Sequence, residues 1–373
     1  MSVHSYFRKI LRQSQIILFR KRFVIVYQIL KGGNGMKKKF FALLSVVFAL
    51  SLFLVACGGG SESSGGNSGG SNEGEKSKTE EKPKFLSMLT GGTSGTYYPL
   101  GGEIAKIITD KTGIQTDAVS SNASADNVIA LSEGNAEIAF VQTDVMAAAV
   151  EGINAFEKTG KVTNVLALGS LYPETIQIVT LAKSNINSVE DLKGKKVSVG
   201  APGSGTYINA QQILEVHGMT MDDIDAQNLD FAESTGGLQD GNIDAAFITA
   251  GTPTGAVEGL SATNPVKIVP IAQDKVDALV KKYPYYAEDT IASGTYGLKE
   301  DVNTVAVLAM LAVVDSVPED TVYEITKAIY ENTGSITHAK GKYIKLENAL
   351  KGIGIDLHPG AEKYFKEAGV STE

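Results

Sequence analysis

The chain has one cysteine and no tryptophan, and its four arginines, Arg8, Arg12, Arg20 and Arg22, all lie near the start. A single cysteine, Cys57, excludes a disulfide framework, and with no second cysteine near it a thiolate zinc site is excluded too. Beyond Cys57 only His217, His338 and His358 are left as imidazoles. They are too far apart in sequence to read as paired metal ligands, so no metal and no cofactor are expected. No Gly-x-x-x-x-Gly-Lys-Ser/Thr segment occurs, so the glycine-rich stretches are not P-loops. Neither Ser94 nor Ser204 stands in a Gly-x-Ser-x-Gly setting. With no clustered acid, base or nucleophile, the chain is expected to bind rather than to catalyse, with a surface enzyme as the least favoured reading.

The charge is also one-sided. Residues 1–56 contain ten Lys or Arg and no Asp or Glu, which leaves 24 basic against 42 acidic residues afterwards, a net charge of −18. An acidic body without arginine is a poor match to a phosphate backbone, so no nucleic-acid partner is expected.

The start of the chain reads as a targeting device. From Met36 a basic triplet, Lys37-Lys38-Lys39, precedes the apolar stretch Phe40 to Val55, which ends in Leu54-Val55-Ala56-Cys57-Gly58. This resembles a bacterial lipoprotein signal peptide over residues 36–56, with Cys57 implied as the lipidated first residue of the mature protein. A sixteen-residue stretch interrupted only by Ser45 and Ser51 is short for a membrane span, and small residues before a cysteine favour cleavage. Residues 1–35 precede an already complete signal, so translation is expected to start at Met36. Residues 57–84 are rich in Gly, Ser and then charge, a composition that reads as a flexible tether.

From residue 85 to 373 short apolar runs alternate with helical patterns, which argues for α/β architecture with largely parallel sheets. Strands are expected at 85–90, 115–119 and 137–142, then at 165–171 and 176–182, separated by Tyr172-Pro173-Glu174. The pattern restarts with strands near 196–200, 226–231 and 245–249. A strand at 266–271 is read as returning to the first lobe. The expectation is two lobes, about 85–172 with 268–373 and about 173–267, enclosing a ligand cleft. In such sheets ligands sit beyond the carboxyl ends of the strands. Four strand-to-helix junctions carry glycines beside hydroxyls or amides: 91–101, 120–124, 200–207 and 249–254. Each is either an ordinary helix cap or an anion site made of helix N-terminal N–H groups. Without arginine, a carboxylate would be held by N–H groups, hydroxyls, Gln142 or a lysine.

The segment Gly91-Gly92-Thr93-Ser94-Gly95-Thr96-Tyr97-Tyr98-Pro99-Leu100-Gly101 resembles the opening motif of the TAXI family, the solute receptors of TRAP transporters. Val141-Gln142-Thr143-Asp144, Leu171-Tyr172-Pro173-Glu174, Val199-Gly200-Ala201-Pro202-Gly203-Ser204-Gly205-Thr206, Thr249-Ala250-Gly251-Thr252-Pro253 and Ile291-Ala292-Ser293-Gly294-Thr295-Tyr296 continue the likeness in order. One departure follows Tyr296, where Pro-Gly is expected and Gly297-Leu298 stands. The resemblance implies a type II periplasmic-binding-protein-like fold and a monomeric extracytoplasmic receptor. It also implies a small carboxylate or glutamate-like solute and a TRAP permease as partner, with an ABC importer as the alternative. It carries the ligand role onto Thr93, Ser94, Gly95, Thr96, Tyr97, Ser124, Gln142, Ser204, Gly205, Thr206, Gly251 and Thr252. Replacing Cys57 with Ser should release the protein from the membrane fraction. Retention there would place the anchor elsewhere.

Overall fold

A computed structural model describes residues 82–372. The expected leading extension, signal segment, Cys57 and nearly all of the tether lie outside these residues. Lys82, at the tether's end, already packs on the body. Its Nζ donates to the Thr112 carbonyl at 2.9 Å and pairs with Glu324.

The chain runs β1 (Phe85–Leu89), α1 (Tyr97–Thr112), β2 (Gln115–Val119), α2 (Ser124–Ser132), β3 (Ile138–Gln142) and α3 (Thr143–Glu151) before the long β4 (Val165–Leu181). It continues through β5 (Lys196–Ser198), α4 (Gly205–Val216), β6 (Asp225–Gln227), α5 (Phe231–Asp240), β7 (Ala245–Ala250), α6 (Gly255–Ser261), β8 (Val266–Ile268), α7 (Gln273–Lys282) and β9 (Ala287–Ile291). The last elements are β10 (Val302–Val314), α8 (Glu319–Glu331) and α9 (Pro359–Glu367). Local chemistry sets the ends. Leu100, Ile104 and Ile108 form one buried stripe of α1, which stops at Gly113 in the left-handed conformation (φ 74°). Asp230 opens α5 with a capping box, its side chain accepting from the Glu233 N–H.

The strands form one mixed sheet in the order β2-β1-β3-β10-β4-β7-β5-β6, with β8 on β4 and β9 on β10. Pairs within each outer half are parallel, whereas β10 is antiparallel to β3 and β4, and β4 to β7. The largely parallel expectation thus holds away from the centre and fails at it. Each half carries helices on both faces, because successive strand residues point to opposite sides. In the first half, Phe140 and Leu311 pack under α1, α8 and α9, while Val141 and Met310 pack under α2 and α3. In the second half, Phe247 and Val307 face α4 and α7, while Ile248 faces α5 and α6. The result is the two-lobed α/β fold expected from the sequence, with two strands common to both lobes.

Two expectations are corrected. The strands expected at 165–171 and 176–182 are one 17-residue strand, and Tyr172-Pro173-Glu174 passes from lobe to lobe without a turn. The return to the first lobe is also later than 268. Val266–Ile268 pairs with Val179–Leu181 at the far end of β4, and Val269, Ile271, Val276, Leu279, Val305 and Val307 complete the second lobe's core. Only along β10, between Val307 and Ala309, does the chain cross back.

Candidate functional site

Four helices begin at the cleft: α1 at Tyr97, α2 at Ser124, α4 at Gly205 and α5 at Phe231. Their first residues, with the carboxyl ends of β3 and β7, wall a cavity of about 100 Å³. The positive dipole ends of such helices favour negative ligand atoms, although the first N–H groups of α2 and the Glu233 N–H of α5 already have acceptors within the protein. Residues from both lobes meet there, including Gly92, Ser124 and Gln142 from the first and Ser204, Thr206 and Thr249 from the second.

Of the residues named from the sequence, Gly95, Thr96, Tyr97, Ser124, Gln142, Ser204, Gly205 and Thr206 line this cavity. Thr93, Ser94, Gly251 and Thr252 do not. Thr93 is exposed. The Ser94 carbonyl accepts from the Ala256 N–H at 3.1 Å, docking the first lobe onto the start of α6. The Gly251 carbonyl accepts from the hydroxyls of Thr96 (3.3 Å) and Thr254 (2.9 Å). Any Cβ at Gly251 would lie 2.7 Å from Cε of Lys340, so glycine there serves packing. The Thr252 hydroxyl is buried without a hydrogen-bond partner.

The departure after Tyr296 also has a local reason. Tyr296 braces α6, its hydroxyl accepting from the Thr254 N–H and donating to Gln177 Oε1, both at 2.6 Å. Gly297 then turns back at φ 79°, which proline cannot adopt.

Several lining residues had no ligand role assigned from the sequence: Asp230 and Phe231, and also Asn122, Ala123, Thr249 and Glu174, which lie in the junctions and motifs named there. Ala123 has φ 72° and ψ −148°, a conformation that costs a non-glycine residue free energy, and such strain gathers at functional sites. Thr249 is buried and its hydroxyl has no partner within the protein, which leaves it free for a ligand. Glu174 had a signal, an acid inside an otherwise apolar run. Asp230 had the capping-box spacing to Glu233.

Glu174 is 2% exposed. It accepts hydrogen bonds from Tyr97 Oη at 3.0 Å and Tyr172 Oη at 3.2 Å. Burial outweighs these bonds and pushes its pKa up to about 8. A few residues away the lobes are tied by a buried network. Gln142 Nε2 donates to Asn209 Oδ1 at 3.0 Å, and Asn209 Nδ2 donates to Asp144 Oδ2 at 2.9 Å and to Tyr286 Oη at 2.8 Å. Asp144 is raised to about 6 by burial, and its Oδ1 has no partner. The Gly203 carbonyl accepts from the N–H groups of Ala125 and Asp126 at 3.0 and 3.2 Å, closing the second lobe onto the start of α2. Gly205 comes so near Gln142 that a Cβ there would fall 1.2 Å from Oε1. Among the described residues no cluster of His, Cys, Asp and Glu is placed to hold a metal ion.

The chain is thus a mixed α/β fold of two lobes that enclose a small cavity lined by both polar and apolar groups. The chain belongs to the NMT1-like family, whose match spans residues 88–369. It is also similar to several solved structures. The periplasmic aliphatic sulphonate binding protein SsuA from Escherichia coli is 15% identical, covering 76% of this chain and 84% of that one, with a TM-score of 0.40. A putative L-cystine ABC transporter from Listeria monocytogenes is also 15% identical, with 71% and 98% coverage and a TM-score of 0.43. PhnD1 from Prochlorococcus marinus, in complex with methylphosphonate, is 10% identical, with 77% and 98% coverage and a TM-score of 0.46.

Both buried carboxyls hold their protons to higher pH in the folded chain than in the unfolded one. Between about pH 5 and 8 the unfolded chain therefore gives up protons that the folded chain keeps, and stability falls as pH rises. The slope reaches about 1.4 kcal/mol per pH unit for each such proton. Urea unfolding at steps across this range should show the decline, and Glu174→Gln should flatten it between pH 6 and 8. An unchanged slope in the variant would remove Glu174 as its source.

Proposed function

We propose that the chain is an extracytoplasmic solute receptor, lipid-anchored through Cys57, that captures a small carboxylate or amino acid and hands it to a membrane importer. The observation that carries this reading is the cavity between the lobes. Converging helix N-termini, the Gln142 carbonyl oxygen and the free Thr249 hydroxyl border a space suited to a small solute. Hydrogen bonds across the cleft supply the closed state that retains it. Closure over a ligand by two lobes on shared strands is a hinge motion.

Two importer classes fit such a receptor. The TRAP permease comes from the motif resemblance. The similar structures name an ABC transporter and not a TRAP permease, so the ABC importer is the better supported of the two. Co-purification from detergent-solubilised membranes separates them: an ATPase subunit identifies an ABC importer, and a permease without one identifies a TRAP system.

The receptor reading is tested by thermal denaturation of the purified protein against small carboxylates, sulfonates and amino acids. A ligand that binds only the folded state at a hundred times its Kd adds about 2.7 kcal/mol. The expected outcome is a rise in Tm for one narrow chemical group. A flat response across the panel would contradict the proposed solute class.

A further inference from the structure

We propose that Glu174 is the counter-ion for a positively charged group on the solute, so that this cavity selects an ammonium-bearing acid over the matching acid without nitrogen. The inference rests on the receptor reading and deepens it. Among the described residues that line the cavity, the formally charged ones are Glu174 and Asp230, both acids, and no Lys, Arg or His joins them. A solute carrying only negative charge would gain from the helix N-termini but find two acidic side chains and no cation beside it. A zwitterion satisfies both features at once, its carboxylate at the N–H groups and its ammonium at Glu174.

The surroundings of Glu174 suit this role. The Tyr97 and Tyr172 hydroxyls each direct a hydrogen bond to one of its two oxygens, which fixes the carboxyl plane. Tyr97 is the first residue of α1, so the same side chain links Glu174 to a helix N-terminus that can hold the solute's carboxylate. The charged groups acting on Glu174 from neighbouring elements are Asp144 of α3, which disfavours its ionisation, and Lys340 of the segment Ala339–Tyr343, which favours it. Lys340 is itself held below its usual range by burial and forms no salt bridge with Glu174, so it does not supply the missing cation. A buried carboxyl without a cation keeps its proton. When an ammonium arrives, the carboxyl O–H bond breaks, the proton passes to solvent and the ion pair forms in its place. Capture of the solute is then coupled to proton release.

The test is titration calorimetry at pH 7.5 in two buffers of different ionisation enthalpy. The probes are three matched pairs: L-glutamate with 2-oxoglutarate, L-alanine with pyruvate, and L-leucine with 4-methyl-2-oxopentanoate. The expected result is that one amino acid binds at least about tenfold more tightly than its oxo partner and releases protons on binding, as its oxo partner does not. Glu174→Gln should lose both the preference and the proton release while melting no lower than the parent at this pH. An oxo acid that binds as tightly as its amino acid overturns the inference but leaves the receptor standing, as does proton uptake instead of release. Binding by neither member of any pair overturns the inference, and a flat thermal panel alongside it overturns the receptor reading as well. The preference and the proton count are read on the unaltered protein, so a variant that fails to fold does not block the test.

Discussion

The ladder between β4 and β10 is the constraint on which the rest of the molecule depends. Both strands run through both lobes, paired antiparallel from Thr175 and Ala306 to Val165 and Val314. The remaining strands attach to one end or the other. Two register shifts interrupt the ladder, next to Tyr172 and next to Gly169, within the first lobe's portion. Extra residues of this kind bend and twist a strand. The crossing lies just beyond, where Tyr172 stands opposite Ala309 and Glu174 opposite Val307. Glu174 therefore occupies the point where one lobe gives way to the other, and it is fixed by the strands that the lobes share.

This placement gives the cavity its character. Helix N-termini reach it from both lobes and offer N–H groups, while the strand ladder brings an acid to its floor. No arginine exists in the body to neutralise that acid. The lobes meet around it through Gln142, Asn209, Asp144 and Tyr286, a network in which most partners are far apart in sequence. Buried polar networks stabilise when every member is satisfied and cost free energy when one is not. In this one the Asp144 Oδ1 is left without a partner.

Much of this was legible in the sequence, because it is local. The alternation of apolar runs and helical stripes gave the α/β class and the strand-to-helix junctions. Gly, Ser and Thr after the strands marked Gly95, Thr96, Ser124, Ser204, Gly205 and Thr206, which do line the cavity. The parts that escaped are non-local. Pro173 read as a break because proline is rarely tolerated inside a central strand, yet next to a bulge it is accommodated. The late return to the first lobe depends on pairing between residues near 180 and 267, which no periodicity reports. Gly251 looked like a ligand loop and is instead where the Lys340 stem packs, 89 positions further along the chain. Asn209 carried no signal at all, since its partners Gln142 and Asp144 precede it by 67 and 65 residues.

Closure of the two lobes over a small solute, about the shared strands, is read most directly as a pulsed electron-resonance distance between spin labels on Lys106→Cys and Lys193→Cys, in a Cys57→Ser background. These side chains are exposed on opposite lobes, with 74% and 72% of their surface accessible. Without solute the distance distribution should be broad, and it should sharpen to a single closed distance when a binding amino acid is added. A distribution that stays the same with bound solute would rule out closure of the lobes.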